Sequence, residues 1–385
     1  MKKLSMILVP VMLVALIITA VGCGGGDDNE ITPTPIATAP APTVTQEPGA
    51  IATPIPVVYT GGKHTFKLSH ISPAESIGQR QAEYLDELLR RYTDGKVKLE
   101  IFPAASLYGS FEMWDALSTG SLDMAFMSDY QFQMAGFSDY NITWINFFWG
   151  ETMETGGEHN MRFWDHPDGG KKMFAQVEAR GVKVLSFLTN NNEIWLVNDS
   201  NIKSMHDLKG RKTAGTPGLG GLFVTRAGGI MTIVDPAEFS IAFQQGLIDV
   251  YPTGASGVVS YKLYNQACCS FVVDAINTCS FFCMNMNLWN SLEPELQDII
   301  QNKVTPELVA WARVAVPADT AKAKQDVDEK GMAVYYISPE ERIEFRDACW
   351  ETAKKAGFLD DINQDLLKLA DRLRTAPYDK GHFLP

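Results

Sequence analysis

Residues 64–101 read HTFKLSHISPAESIGQRQAEYLDELLRRYTDGKVKLEI. Apolar and polar residues alternate from His64 to Leu68 and again from Val97 to Ile101, and this period of two predicts two β-strands. Between them, from Ile77 to Tyr92, the apolar residues recur at helical spacing, and Asp94-Gly95 ends the segment. A strand, a helix and a second strand in one run predict a βαβ unit with parallel strands.

The same alternation recurs along the rest of the chain. It predicts parallel sheets with helices on both faces, and two such units in about 320 residues predict two α/β lobes. Because ligands bind at the carboxyl ends of strands in open α/β sheets, two facing lobes predict a ligand cleft between them. The further predicted elements are helices at 111–117, 170–180 and 236–245, strands at 122–126, 182–187 and 247–251, and a mostly helical part at 294–373 with one strand at 331–337.

The composition is that of a globular protein. The 385 residues are 45% apolar and 21% charged, and they suffice for two domains of ordinary size. The formal net charge of −13 argues against a nucleic-acid-binding protein, which needs a basic face. Five of the six cysteines are interpreted as small buried apolar residues, with a vicinal Cys268–Cys269 disulfide or another bridge as the alternative; they are Cys268, Cys269, Cys279, Cys283 and Cys349.

The N-terminus indicates where the protein works. Residues 1–22 have a short basic start and an apolar run too short to span a bilayer, which is typical of a secretion signal. Small residues before Cys23 resemble a bacterial lipobox, so we predict cleavage there and acylation of the Cys23 thiol; an ordinary cleaved signal is the alternative. Residues 23–60, rich in Thr, Pro and Ala, predict an extended tether. The folded body is then lipid-anchored outside the cytoplasmic membrane.

The sequence lacks the common catalytic signatures. It contains no Gly-x-Ser-x-Gly, no His-Glu-x-x-His and no Gly-x-x-x-x-Gly-Lys-Ser/Thr motif. The glycines at 218–221 lack the Gly-x-Gly-x-x-Gly spacing of a dinucleotide site, and the histidines are scattered without metal-ligand spacing. We therefore expect no enzymatic activity, no cofactor and no metal. An extracellular enzyme or a sensory binding module on the same scaffold remains the alternative.

Four stretches share their residues and their order with the motifs of one family. They are DGKVKLEIFP (94–103) followed by LYG (107–109) and LSTGSLDM (117–124), then SMHDLKGRK (204–212), EFSIAFQQGLID (238–249) and NMNLWNSLEPELQ (285–297). They resemble motifs of the DctP-type solute-binding proteins of TRAP transporters, such as Leu-x-x-Gly-x-Ile-Asp-Met and Ser-x-x-Asp-Leu-Lys-Gly-x-Lys. Each motif alone fits a helix end or turn in any α/β lobe. Together they are specific.

The resemblance implies a two-lobed, periplasmic-binding-protein-like α/β fold with a ligand cleft between the lobes and a helical C-terminal part. Lobe I would contain residues 61–190 and about 278–318, and lobe II residues 191–277 and about 319–375. Such a protein closes on a small organic solute by hinge motion. It then delivers the solute to the TRAP membrane subunits. The expected partners are therefore the solute, those subunits and, through the lipid anchor, the membrane, but no nucleic acid.

The ligand-facing positions depart from the family pattern. The family arginine that clamps a substrate carboxylate falls on Ala214, and no arginine occurs in the upstream stretch 191–195. Residues 249–254 read DVYPTG, where the family has Asp-Gly-x-Glu-Asn-Pro. We therefore predict a ligand that is not held by the usual clamp. Whether Arg211 or Arg226 substitutes for the missing arginine is left open.

The candidate ligand-binding residues lie at predicted strand ends, in the following turns and in the aromatic run at 144–149. The aromatic run is also compatible with core packing, and His70 with a structural role. Asp129 and Glu193, without facing arginines, favour a polar or cationic ligand. The candidates are His70, Ser72, Ser128, Asp129, Phe148, Trp149, Glu193, Trp195, Thr216, Tyr251 and Thr253.

Overall fold

The computed structural model describes residues 59–149, 153–189, 194–215, 218–273 and 275–375. Within these ranges the chain forms two β-sheets covered by helices. In chain order the strands are β1 (His64–Ser69), β2 (Val97–Phe102), β3 (Met124–Ser128), β4 (Val182–Thr189), β5 (Ile194–Asn198), β6 (Lys212–Gly215), β7 (Ile230–Ile233), β8 (Val250–Thr253), β9 (Cys269–Val273), β10 (Cys279–Asn285) and β11 (Ala333–Tyr336).

The α-helices separate the strands in the first part of the chain and dominate its C-terminal part. A π-helical stretch, Ile300–Val304, joins α10 to α11. In chain order the helices are α1 (Ile77–Tyr92), α2 (Met113–Thr119), α3 (Asp129–Met134), α4 (Met153–Asp165), α5 (Gly170–Glu178), α6 (Leu222–Arg226), α7 (Phe239–Gln244), α8 (Ala255–Ser260), α9 (Met286–Ser291), α10 (Pro294–Ile299), α11 (Thr305–Glu329), α12 (Pro339–Lys355) and α13 (Gln364–Thr375).

The first sheet has the strand order β2-β1-β3-β10-β4. Strand β1 pairs in parallel with both β2 and β3, as the βαβ pattern predicts. Strand β10 lies between β3 and β4 and runs antiparallel to both. The prediction of an all-parallel sheet was therefore wrong here, because β10 enters from a distant part of the chain and needs no helical crossover.

The second sheet has the order β11-β9-β5-β8-β6-β7. Strand β6 is parallel to both of its neighbours, β7 and β8, and β11 is parallel to β9. Strand β5 is antiparallel to both β8 and β9, so this sheet is also mixed. The chain passes from the first sheet to the second between β4 and β5 and returns between β9 and β10. Helix α11 packs against α1 and β4, which belong to the first part of the chain, and against α8.

Helix α1 shows why the sequence folds locally as predicted. Its N-cap Ser76 has extended backbone geometry, and its Oγ accepts a hydrogen bond from the Gln79 backbone N–H at 3.2 Å. The apolar face places Leu85, Leu88 and Leu89 in the core, each no more than 2% exposed. Both boundaries agree with the prediction from helical spacing.

An aromatic cluster fills the core beside the first sheet. The ring of Phe281, in β10, lies 5.1 Å from that of Trp164 and 5.3 Å from that of Phe132, measured between centroids. The rings of Tyr140, Phe174 and Phe187 lie around it at 5.9–6.1 Å. Rings at these separations add edge-to-face and stacking attraction to the burial of their area. This cluster therefore fixes β10 between its neighbours.

Five cysteines in the described ranges are free, and four of them are buried, in agreement with their interpretation as small core residues. The Sγ atoms of Cys268 and Cys269 are 3.6 Å apart, so these two thiols do not form the vicinal disulfide. None of the described helices combines the length and apolarity that a membrane span requires. The described side chains also contain no group of three or more potential metal ligands.

Candidate functional site

A cavity of 240 Å³ lies between the two sheets. Ser128, Gly215 and Thr253 line it, and each is the last residue of its strand, β3, β6 and β8 respectively. This is the strand edge at which ligands bind in open α/β sheets. The complete lining is Ser128, Tyr130, Trp144, Ile194, Ala214, Gly215, Gly220, Phe223, Val224, Met231, Pro236, Phe239, Pro252, Thr253, Gly254, Ile276 and Thr278.

The cavity wall is mainly apolar. Tyr130 and Trp144 contribute aromatic rings from the side of the first sheet, and these two rings meet edge to face at 6.3 Å. Phe223 and Phe239 contribute rings from the side of the second sheet. None of the described lining residues carries a charged side chain. The wall offers ring faces and a few hydroxyl groups.

Glycine at 215 gives Met231 room in this wall. A methyl group at Gly215 would collide with Cε of Met231, and one at Gly221 would approach the same side chain within 3.0 Å. Both glycines lie beside the turn that leads from β6 into α6. The absence of side chains at these two glycines therefore leaves space for Met231 in the apolar wall.

Asp129 lies between the lining residues Ser128 and Tyr130 in the sequence and is fully buried. Its carboxylate accepts hydrogen bonds from Thr143 Oγ1 at 2.7 Å, the Tyr130 backbone N–H at 3.0 Å and the Cys279 backbone N–H at 3.1 Å. Burial raises the pKa of Asp129 to about 7, although these hydrogen bonds oppose the shift. Asp129 thus joins β3, the turn at Thr143 and the start of β10, and the protein supplies its hydrogen-bond donors.

Ser128 and Thr253 are the two predicted ligand-binding residues that line the cavity. Ser128 also caps α3: its backbone N–H donates to Gln131 Oε1 at 2.8 Å. Trp195 and Tyr251 are no more than 2% exposed and lie in the core of the second sheet. Tyr251 lies in β8, two residues before Thr253.

The other described candidates lie away from this cavity. His70 is buried and bonds Gln79 Oε1 through Nε2 at 2.9 Å, and burial lowers the pKa of its imidazole. Ser72 lies beside α1, where a methyl group at Gly78 would collide with it. Trp149 is buried and donates from Nε1 to the Ile142 carbonyl at 3.0 Å. These contacts agree with the structural interpretation of His70 and of the aromatic run.

Phe148 borders a different concave surface, a groove of 520 Å³. Its ring stacks on Trp350 at 6.0 Å, and the guanidinium carbon of Arg374 lies 4.7 Å from the Phe148 centroid. Glu193, Thr216 and the predicted lipidation site Cys23 lie outside the described residues. Neither Arg211 nor Arg226 lines the 240 Å³ cavity.

The sequence did not identify most of the apolar wall. Tyr130 and Phe223 are each the second residue of a short helix, α3 and α6 respectively. Met231, Ile194 and Thr278 lie in or beside β7, β5 and β10, none of which was predicted. A search for aromatic residues within four positions of each predicted strand end would have found Tyr130.

The model of one family, Bacterial extracellular solute-binding protein, family 7 (DctP), matches residues 68–357. The C4-dicarboxylate-binding periplasmic protein DctP of Rhodobacter capsulatus is 22% identical over 74% of this chain and 83% of its own length. The 2,3-diketo-L-gulonate-binding periplasmic protein YiaO of Escherichia coli is 26% identical, over 76% of this chain and 87% of its own length.

Solved structures share the fold at lower identity. The sugar acid binding protein DctPAm of Advenella mimigardefordensis, solved with galactonate, superposes with a TM-score of 0.74 at 16% identity, over 81% of this chain and 98% of its own. A TRAP periplasmic solute binding protein from Shewanella oneidensis, solved with succinate, gives a TM-score of 0.73 at 18% identity, over 82% of this chain and all of its own. The predicted two-lobed α/β fold is confirmed.

Proposed function

Because this chain belongs to the DctP-type solute-binding proteins of TRAP transporters, bacterial extracellular solute-binding protein family 7, we propose that it binds a small organic solute between its two sheets and delivers it to the membrane subunits of a transporter. The family consists of solute-binding receptors and not of enzymes, as the sequence predicted. The observation that carries the proposal is the 240 Å³ cavity at the facing strand ends Ser128, Gly215 and Thr253. A concave, mostly apolar site with a few polar groups is typical of small-molecule binding.

The ligand is not held by an arginine–carboxylate clamp. Ala214 lines the cavity at the position where the family places that arginine, and the described wall has no charged side chain. The internal segments outside the described ranges, 150–152, 190–193, 216–217 and 274, contain neither Lys nor Arg in their sequence. The relatives that bind dicarboxylates or sugar acids therefore share the scaffold, and this chain recognises its solute by other contacts.

Binding closes the two lobes by hinge motion. We place lobe I at 61–190 and about 278–318, and lobe II at 191–277 and about 319–375. The strand assignments support these boundaries, because all strands of the first sheet come from lobe I and all strands of the second sheet from lobe II. The hinge then comprises the two connections between the sheets, after β4 and after β9, together with α11. A closed cavity removes the ligand from water and gives the membrane subunits a distinct bound form to recognise.

Ala214→Phe is expected to weaken solute binding by about 100-fold or more, because the benzyl group enters the cavity from its wall. A thermal-shift screen of the wild-type protein with sugars, amines, aromatic acids and uncharged heterocycles identifies the class of solute that binds. Calorimetry with that solute then gives the dissociation constants of the wild type and of Ala214→Phe. Ile230→Phe is the control, because Ile230 lies nearby in β7 and is 52% exposed. Absence of a shift with every class would contradict the proposed function.

The family works outside the cytoplasmic membrane, and we propose that a lipid on Cys23 holds this member there, with residues 23–60 as its tether. Cys23→Ser is expected to move the protein from the membrane fraction to the soluble fraction and to abolish labelling by radioactive palmitate. Cys268→Ser, at an exposed cysteine of the folded body, is the matched control. Membrane retention of the Cys23→Ser variant would argue for another anchor.

A further inference from the structure

Aromatic rings approach the cavity from both sheets. Tyr130 and Trp144 belong to the first-sheet side and Phe223 and Phe239 to the second, and each is no more than 8% exposed. Tyr130 is fixed by its hydroxyl, which bonds Ser110 Oγ at 2.5 Å. A planar ligand inserted between the lobes would meet ring faces or edges on both sides. Aromatic side chains on two walls favour a ring compound over an extended aliphatic one.

The charges around the cavity disfavour an anion. Three described acidic residues adjoin lining residues in the sequence: Asp129 lies between Ser128 and Tyr130, Asp235 precedes Pro236, and Glu238 precedes Phe239. No Lys or Arg directly adjoins a lining residue in the sequence. The internal segments outside the described ranges add only acidic residues to the charge count, namely Glu151, Glu193 and Asp274. A carboxylate entering this cavity would lose its hydration without gaining a counter-charge, and that transfer is costly.

The polar groups of the wall suit neutral partners. Thr253 and Thr278 each present a hydroxyl, which can donate one hydrogen bond and accept others. The Ser128 hydroxyl donates to the Cys279 carbonyl and can still accept a hydrogen bond. These groups can bond a ligand carbonyl, hydroxyl or ring N–H. The volume of 240 Å³ lies below the usual range of about 300–1,000 Å³ for ligand pockets. It therefore suits a compound with a single ring.

We propose that the cavity takes an uncharged single-ring compound bearing one or two hydrogen-bonding groups, and that it excludes the carboxylate of the same size. This proposal rests on the proposed solute-binding function and names its substrate class. The rings of Tyr130, Trp144, Phe223 and Phe239 contact the faces and edges of the ligand ring. The hydroxyls of Thr253 and Thr278 bond its polar substituents.

Matched pairs of probes test this class directly. Benzamide and benzoate, nicotinamide and nicotinate, and uracil and orotate differ mainly in the presence of a carboxylate. Calorimetric titration of the purified protein at pH 7.5 is expected to show at least about tenfold tighter binding of the neutral member in at least one pair. Tighter binding of the acid in each pair that binds would overturn the proposal. If only non-ring solutes bind, this proposal fails while the solute-binding function stands; if no solute of any class binds, both fail.

A designed charge in the wall provides the second test. Ala214→Arg places a guanidinium beside the cavity, and the preference is expected to reverse, with the acid of a pair gaining at least about tenfold over its neutral partner. Ala214→Met has a long uncharged side chain and serves as the control for length. Should Ala214→Arg fail to fold, judged by circular dichroism, Met231→Lys gives the same test from a half-buried position. An unchanged preference in a folded cationic variant would overturn the proposal.

Discussion

Phe281→Ala is expected to lower the free energy of unfolding by about 3–5 kcal/mol. Phe281 is fully buried in β10, and its ring is surrounded by those of Phe132, Tyr140, Trp164 and Phe187. Truncation removes the buried area of the ring, leaves a cavity, and cancels several ring–ring contacts at once. Urea denaturation followed by tryptophan fluorescence and by far-UV circular dichroism measures the loss.

Phe111→Ala provides the matched control for this change. Phe111 is 38% exposed and precedes α2, so its truncation is expected to cost less than about 1 kcal/mol. Phe281→Leu is expected to fall between the two, because leucine fills part of the space. A loss below about 1 kcal/mol for Phe281→Ala would mean that the aromatic cluster does not hold β10 in the first sheet.

Asp129→Asn is expected to make the free energy of unfolding less dependent on pH. The folded-state pKa of Asp129 is about 7, and the unfolded value is about 3.9. Below both values the group is protonated in each state. As pH rises between them, only the unfolded chain loses the proton, so stability contributed by the protonated carboxyl falls by roughly 3 kcal/mol from pH 5 to pH 8. The asparagine variant lacks this loss.

The comparison is made by urea denaturation of both proteins at pH 5, 6, 7 and 8. Burial lowers the pKa of His70, which contributes a pH dependence of the opposite sign, but both proteins contain His70 and its effect cancels in the difference. Thr143→Val removes the 2.7 Å hydrogen bond to Asp129 and is expected to extend the loss to higher pH. If the free energy of unfolding changed with pH in the same way for wild type and Asp129→Asn, the raised pKa of Asp129 would be contradicted.

Sequence patterns predicted the elements that carry a periodic signal. Helix α1 has a polar face, an apolar face and a capping serine, so its bounds follow from the spacing alone. Strands β9 and β10, CSFVV and CSFFCMN, are buried at every residue. A strand buried on both faces has no alternation to detect, and a short apolar run is equally compatible with a helix.

The cavity was harder to predict than the scaffold around it. Ser128 and Thr253 were found because each ends a strand, and strand ends converge at one edge of a sheet. Tyr130 and Phe239 are far apart in the sequence and line the same cavity only because the chain passes from the first sheet to the second after β4. Ala214 is informative in a different way, since the absence of an arginine at that position is the basis of the proposed change of ligand chemistry.

The central position of β10 also has a consequence for biosynthesis. Ser128 at the end of β3 bonds the Cys279 carbonyl, 151 positions later in the chain, and β4 likewise lacks its neighbour until β10 exists. At ribosomal rates of about 5–20 residues per second, this interval corresponds to about 8–30 s during which the first sheet cannot be completed. Strands β1, β2 and β3 can pair earlier, but β4 has no neighbour in the sheet until β10 has been made. That delay suits a protein that works beyond the cytoplasmic membrane, since translocation machinery can engage it before a stable fold forms.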